Sequence, residues 1–217
     1  MVRYALAVED KEARRGAILD GARALFLREP EKLPSAAAIA AEAGLAKGTV
    51  YLYFATKEEI FMDLLHADRM AMMARVGEAF APDSTPAGEK VTRFLSGYVA
   101  HLASHPDILR LESLGYSVVE RNVAPDRLQV YKAELSAALE RAGALVEQIL
   151  ALKPGDGTRA LVHTYALTQG LWQALDIPPD CIAMTGDAAE AFLSMDFATE
   201  LAVSLDRYWR GLSLDAG

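Results

Sequence analysis

Cysteine is almost missing from this chain: Cys181 is the single thiol among 217 residues, so no intramolecular disulfide can form. Long apolar runs are missing as well. None approaches the roughly 18 residues that a membrane helix requires, and nothing resembles a basic segment leading into the short apolar core of a secretory signal. There is no nucleophile elbow, no glycine-rich phosphate loop and no clustered set of metal ligands, so the sequence offers no catalytic constellation and calls for no cofactor. Positive charge is in deficit too, with 22 Lys and Arg against 30 Asp and Glu and a formal charge of −8. These absences point to a cytoplasmic protein that is not an enzyme and has no membrane partner.

What is present is apolar and helical. Hydrophobic residues make up 52% of the chain, enough for a sizeable core at this length. The acid is unevenly spread. Residues 1–60 hold nine basic and nine acidic side chains, whereas residues 61–217 hold thirteen and twenty-one. An acidic body is repelled by phosphates, so any contact with nucleic acid belongs to the first sixty residues. Apolar residues recur at spacings of three and four throughout, and no stretch alternates with period two, which predicts an all-α protein of about nine helices. Ile18, Ala22, Leu25 and Phe26 form the first stripe, ended by Glu29-Pro30 because the residue before proline resists the helical region. Thr56-Lys-Glu-Glu59 reads as a capping box that opens a long helix to about Phe80. Ala81 to Pro86 is the clearest break. Beyond it, helices are expected at 88–104, 106–118, 125–151, 157–175 and 187–211.

Residues 35–54 carry a compact two-helix signal. Ser35 suits an N-cap, and the helix that follows to Ala43 is rich in small residues, which lets a second helix cross it closely. Gly44 supplies a left-handed turn and Leu45 plugs the angle. The second helix, Lys47 to Phe54, starts polar and carries aromatics, as befits a helix whose N-terminal end faces bases and phosphates. Gly48 lets the backbone approach closely, Thr49, Tyr51 and Tyr53 offer hydroxyls, and Lys57 adds charge. The run from Ile39 to Ile60, with the Ile18–Phe26 stripe, resembles the DNA-binding signature of TetR-type regulators. That resemblance implies a helix-turn-helix domain at 9–56 and a larger effector-binding and dimerisation domain at 57–217. It implies that Ser35 caps the first motif helix beside a phosphate. Lys47, Gly48 and Thr49 would then open the recognition helix at the groove, while Tyr51, Tyr53 and Lys57 hold the DNA backbone, Tyr53 also being placed to touch a base. Ala36, Ala37 and Ala38 depart from relatives that place polar or basic side chains there. Lys11, Arg14 and Arg15 oppose their own helix dipole, which suits phosphate contact, although Glu9, Asp10 and Glu12 between them also suit a plain solvated face.

The rest of the chain matches the family through length and helical pattern. Tyr98, His101, His105, Glu112, Tyr116, Tyr131, His163, Tyr165, Gln169 and Trp172 interrupt apolar faces and are of the kind that lines a mostly apolar ligand cavity. Each is equally at home in a satisfied core. His101 and His105 stand four apart, a spacing able to share a metal, but no third ligand is evident. Cys181 sits near Pro178 and Pro179, where an ordinary thiol and a redox sensor read alike. Met70, Met72 and Met73 serve as core filler or as a lining for an oily ligand. The apolar faces Leu161, Tyr165, Thr168, Trp172 and Phe192, Met195, Leu201, Leu205, Tyr208 suggest that the last two helices pair with their copies in a homodimer. The resulting expectation is a repressor released from operator double-stranded DNA by an unidentified small-molecule effector. The alternative keeps the DNA-binding domain and gives the second domain to dimerisation or protein interaction alone.

Overall fold

The computed structural model describes residues 2–30, 32–176 and 195–214. Among these residues there are nine α-helices and no strand: α1 (Val2–Arg28), α2 (Ala36–Glu42), α3 (Lys47–Val50), α4 (Lys57–Ala79), α5 (Ala87–Ser104), α6 (Pro106–Leu114), α7 (Pro125–Leu150), α8 (Asp156–Leu175) and α9 (Phe197–Leu214). By packing, the chain divides into two compact units, one joining Met1–Asp68 to Arg110–Lys132, the other joining Arg69–Leu109 to Ala133–Gly217. Helix α4 therefore contributes its first half to one unit and its second half to the other, and α7 contributes its first eight residues to the first unit and the rest to the second.

The first unit is built on the expected stripe. Ile18, Ala22 and Phe26 of α1 meet Ile39 and Ala40 of α2, Val50, Phe54, and Ile60, Phe61 and Leu65 of α4. Phe26 and Phe61 lie ring to ring at 5.9 Å. Burying each such aromatic contributes on the order of 1.5–3 kcal/mol. Leu111, Val119 and Val123 join the same cluster, so the segment 110–132 shares the core of the N-terminal helices. In the second unit Phe80, Phe94 and Trp209 form a ring cluster with centroids 5.3–5.8 Å apart, wrapped by Leu102, Leu109, Val146, Leu161, Leu201 and Leu205.

Three expected helices differ in extent. The helix placed at Lys47–Phe54 is regular only to Val50 and tightens into i→i+3 bonds, Leu52 N–H to Thr49 O at 3.1 Å and Tyr53 N–H to Val50 O at 3.0 Å. The helix placed at 106–118 ends at Leu114, where Gly115 opens one π turn to Val119 followed by a 3₁₀ turn to Asn122; glycine is the residue least committed to the α pitch. Of the helix placed at 187–211, residues 187–194 lie outside the described residues, and the described helix runs from Phe197 to Leu214. Asp196 stops it from extending backwards, accepting from the Thr199 N–H and hydroxyl at 2.9 and 2.8 Å, as an N-cap does. Phe192, Met184 and Cys181 lie outside the described residues.

Helices α7 and α8 cross with almost nothing between them. A Cβ built on Gly143 would run into Thr158, and one built on Gly157 would run into the Gly143 carbonyl. Glu147 completes the joint, accepting the N–H groups of Gly155 and Gly157 at 2.8 and 3.1 Å and so capping the start of α8 from the end of α7. Ala151 turns the chain between them at φ 55°, in the left-handed region.

Candidate nucleic-acid interface

The turn between α2 and α3 shows how local sequence sets the motif. Ser35 Oγ accepts the Ala38 N–H at 3.2 Å and fixes the start of α2. At its other end Gly44 adopts φ +67°. Leu45 N–H then reaches back to Ala40 O at 2.8 Å, and Gly44 N–H to Ala41 O at 3.2 Å. This paired-bond helix ending requires a left-handed residue. Leu45 packs on the core of the unit, as an angle plug should. Ala36 is buried, so the alanine run is small at its first position for packing reasons.

The predicted contact residues separate into two groups. Lys47 and Gly48 are exposed and Thr49 is half-buried. A Cβ on Gly48 would meet nothing within 4 Å, so no neighbour demands glycine there. Tyr51 is 48% exposed, with the Lys47 ammonium 6.0 Å from its ring centre. Tyr53 is half-buried and packs on the core. Lys57 is also half-buried, its ammonium 3.4 Å from the Leu33 carbonyl. Leu52, which the sequence reading passed over, is 82% exposed between the two tyrosines. A polar-apolar count along the helix cannot find it, because the tightened turn after Val50 rotates the side chains off the helical register.

The basic side chains of α1 are mostly engaged within the protein. Arg15 pairs with Asp63 and lies 5.5 Å over the Phe54 ring, which gives it an intramolecular role. Arg14 pairs with Asp10 at 2.8 Å. Arg28 grips Glu42 with two bonds of 3.0 and 2.6 Å, and Arg23 grips Asp68 at 2.7 and 2.8 Å.

Behind the recognition turn lies a network the sequence reading did not anticipate. Glu59 and Asp63, one turn apart on α4, are both buried. The Glu59 carboxylate accepts the Ala55 N–H at 3.0 Å and Arg127 Nη1 at 2.6 Å. The expected capping box is thus half-formed: Thr56 Oγ1 accepts the Glu59 N–H at 3.2 Å, but the carboxylate reaches Ala55 rather than Thr56. Asp63 accepts from Arg15, from the Tyr131 hydroxyl and, at 3.5 Å, from Arg127. Burial and the bond to Asp63 push the Tyr131 hydroxyl up to about 12. The Tyr131 ring also rests 5.1 Å from that of His66.

The residues proposed for an effector cavity do not all share one unit. Glu112, Tyr116 and Tyr131 fall in the first; Tyr98, His101, His163, Gln169 and Trp172 fall in the second. Glu112 is buried, and Tyr131 belongs to the network above. In the second unit Tyr98 is buried with its hydroxyl 2.9 Å from Thr168 Oγ1. Trp209 Nε1 donates to Thr164 Oγ1 at 2.9 Å, so a file of hydroxyls along α8 satisfies the polar tips of the aromatic core. Burial, then Arg75 and His105, lower the basicity of His101 against the opposing pull of Asp107. The rings of His101 and His105 lie 4.5 Å apart with their planes tilted by 38°, and among the described residues no group of three His, Cys, Asp or Glu gathers for a metal. Trp172 meets Phe197 edge to face at 5.2 Å; Gln169 is half-buried on α8. His163 is exposed, its Nδ1 2.9 Å from the Tyr208 hydroxyl, at the edge of an open apolar groove lined also by Leu167, Gly170 and Leu171. Of the faces assigned to dimerisation, Leu161, Thr168, Leu201 and Leu205 instead fill the core of their own unit. Among the described residues, the large exposed apolar side chains of α8 and α9 are Val162 and Val203, with Met195 exposed just before α9.

Residues 67–216 match the family described as tetracyclin repressor-like, C-terminal domain, and residues 18–64 match the bacterial regulatory proteins of the tetR family. The chain belongs to the TetR family of transcriptional regulators. A comparison with curated proteins gives no match. Solved TetR-family structures show the same fold. A family regulator from Mesorhizobium loti is 20% identical, with a TM-score of 0.57 over 90% of this chain and 94% of that one. One from Shewanella sp. is 17% identical at 0.57 over 92% and 97%. The regulator FadR from Bacillus subtilis, solved in complex with stearoyl-CoA, is 23% identical at 0.52 over 82% and 97%. No helix among the described residues is long and apolar enough to cross a membrane.

Proposed function

We propose that this TetR-family regulator is a repressor that binds operator DNA as a homodimer and releases it when a small apolar molecule enters the second unit. The observation that carries the reading is the turn at Gly44, which sets the exposed Lys47, Gly48 and Tyr51 and the half-buried Thr49 along one edge after a Ser35-capped helix. Backbone N–H groups at the start of α3 and the Lys47 ammonium suit phosphate, and the Thr49 and Tyr51 hydroxyls suit base edges or backbone. Ser35, Tyr53 and Lys57 support that edge, with Tyr53 and Lys57 contributing through their exposed portions. Val162, His163, Gly170, Val203 and Tyr208 supply the surface of α8 and α9 for a second copy. Two recognition helices about 34 Å apart then meet successive major grooves.

The effector is argued by chemistry. The stearoyl-CoA held by the Bacillus subtilis protein makes long-chain acyl compounds the first to try, with Tyr98, His101, Gln169 and Trp172 of this chain's second unit as the candidate polar and aromatic contacts. Helix α4 starts three residues after Phe54 and continues into the second unit, so a ligand with unequal affinity for two settings of α4 shifts the DNA-binding population. One observation favours the second reading, in which the C-terminal unit only dimerises: the Tyr98 hydroxyl is already satisfied by Thr168.

Fluorescence anisotropy with DNA from upstream of the coding region tests the first claim; binding with sequence preference at moderate salt is expected, and its absence sinks the operator reading. A thermal-shift series with stearoyl-CoA separates the two effector readings. A specific ligand at a hundredfold excess over its Kd stabilises by about 2.7 kcal/mol, whereas an unchanged melt with every acyl chain length leaves dimerisation alone.

A further inference from the structure

The first two turns of α7 pack with the N-terminal helices in one compact unit, and two of their side chains reach the acidic pair on α4. Arg127 holds Glu59 at 2.6 Å, and the same carboxylate holds the N–H of Ala55 at 3.0 Å. Ala55 directly follows Phe54, the buried residue on which the recognition turn closes, its N–H bonded to Val50 O at 3.0 Å. Tyr131 donates to Asp63, Asp63 holds Arg15, and Arg15 lies over the ring of that same Phe54. Arg127 also donates to the Tyr131 hydroxyl at 2.7 Å and joins the two chains of contacts into one. Every polar member is partnered, as a buried network requires.

We infer that Arg127 and Tyr131 are positioning residues for DNA recognition: without touching DNA, they set the pose of the Lys47–Phe54 segment through Glu59, Asp63 and Arg15. The inference rests on the operator reading above. Two routes converge on the end of the recognition turn, one through the Ala55 backbone and one through the Phe54 ring. Removing Arg127 leaves Glu59 buried without its cation. The cheapest relief is for Glu59 to turn toward water and release Ala55. The turn that carries Lys47, Thr49 and Tyr51 then samples more than one orientation.

The test is operator binding by anisotropy at several salt concentrations, with thermal unfolding of each protein recorded alongside. Arg127→Ala is expected to weaken binding about tenfold, the scale on which residues remote from a ligand act. The slope of log affinity against log salt should stay that of wild type, because no phosphate contact is lost. Arg127→Lys is expected to recover part of the loss. Tyr131→Phe keeps the ring beside His66 and removes only the hydroxyl, so it carries the same test if Arg127→Ala does not fold. Combined with Glu59→Gln, Arg127→Ala should cost little more than either change alone. A salt slope that falls by about one in Arg127→Ala would mark a direct phosphate contact and overturn the inference. So would folded Arg127→Ala and Tyr131→Phe proteins that bind like wild type. Wild-type protein that binds no DNA at all overturns the operator reading itself, a different outcome read in the same experiment.

Discussion

At the scale of single residues, the joint between α7 and α8 is the least forgiving place in the described chain. Gly143 faces the backbone and hydroxyl of Thr158, and Gly157 faces the backbone of Gly143 and the Glu147 side chain; the backbone atoms cannot step aside, so an added methyl has nowhere to go. Gly143→Ala is expected to destabilise by about 1–3 kcal/mol or more, outweighing the gain of roughly 1 kcal/mol that alanine brings to a helix interior. Gly97, in the middle of α5, meets nothing within 4 Å, so Gly97→Ala shows that gain unopposed and serves as the control. Ala151→Gly is expected to stabilise modestly, because the left-handed region costs a non-glycine residue on the order of 1 kcal/mol. Denaturant melts with an unchanged m-value decide all three, and a Gly143→Ala protein as stable as wild type would refute the close crossing. None of this was legible beforehand. Gly44 announced itself through its neighbours in sequence, whereas Gly143 is constrained by Thr158 and Gly157 by Gly143, residues more than a dozen positions away.

Elements were legible where their ends are set locally. Ser35, Gly44 and Thr56 marked the bounds of the motif because caps and turns act within a few residues. Helix ends set by longer contacts escaped, as the π turn at Gly115 shows, whose Val119 is buried in the core of the N-terminal helices. The loop from Ala81 to Pro86 is an instance of the same limit. Its proline pair marked a break, but its geometry comes from Lys90, which is 1% exposed and reaches back to the Ala81 carbonyl and, at 2.6 Å, to Asp83. The bond to Lys90, joined by that from the Thr85 N–H, holds the Asp83 carboxyl down at about 2. Because the folded value lies below the ordinary one, near 3.8, the stabilisation is complete above about pH 4 and disappears as pH falls toward 2. Asp83→Asn is therefore expected to flatten the fall in melting temperature between pH 4 and pH 2 relative to wild type. An identical acid profile for the two proteins would show that the Lys90 clamp does not depend on the carboxylate.

For the whole molecule, the charge division read from the sequence gains a structural reason. The N-terminal helices are neutral overall, but several of their arginines are turned onto acids: Arg15 onto Asp63, Arg23 onto Asp68, Arg28 onto Glu42. Lys47 is left to the exposed edge of the motif, so a small number of phosphate contacts and a shallow salt dependence are expected. Lys47→Ala should lower affinity for every DNA sequence and reduce the salt slope by about one; an unchanged slope would remove Lys47 from the interface. Assembly is testable in the same protein. Val203→Asp, on the exposed side of α9, is expected to give monomers by analytical ultracentrifugation and to weaken operator binding with them. A dimer that persists would place the self-contact elsewhere. The helix-turn-helix geometry around Gly44 followed from short-range signals, whereas a cavity does not, since it is a property of helices that meet from distant parts of the chain. The α7–α8 joint has one more consequence, and it is genealogical. In a family whose members keep a fold at about 20% identity, few positions record descent. Two glycines that admit no side chain, fourteen residues apart with an acid at 147 between them, are expected to recur together in regulators that cross these helices in this way, and an alignment in which they vary independently would refute that.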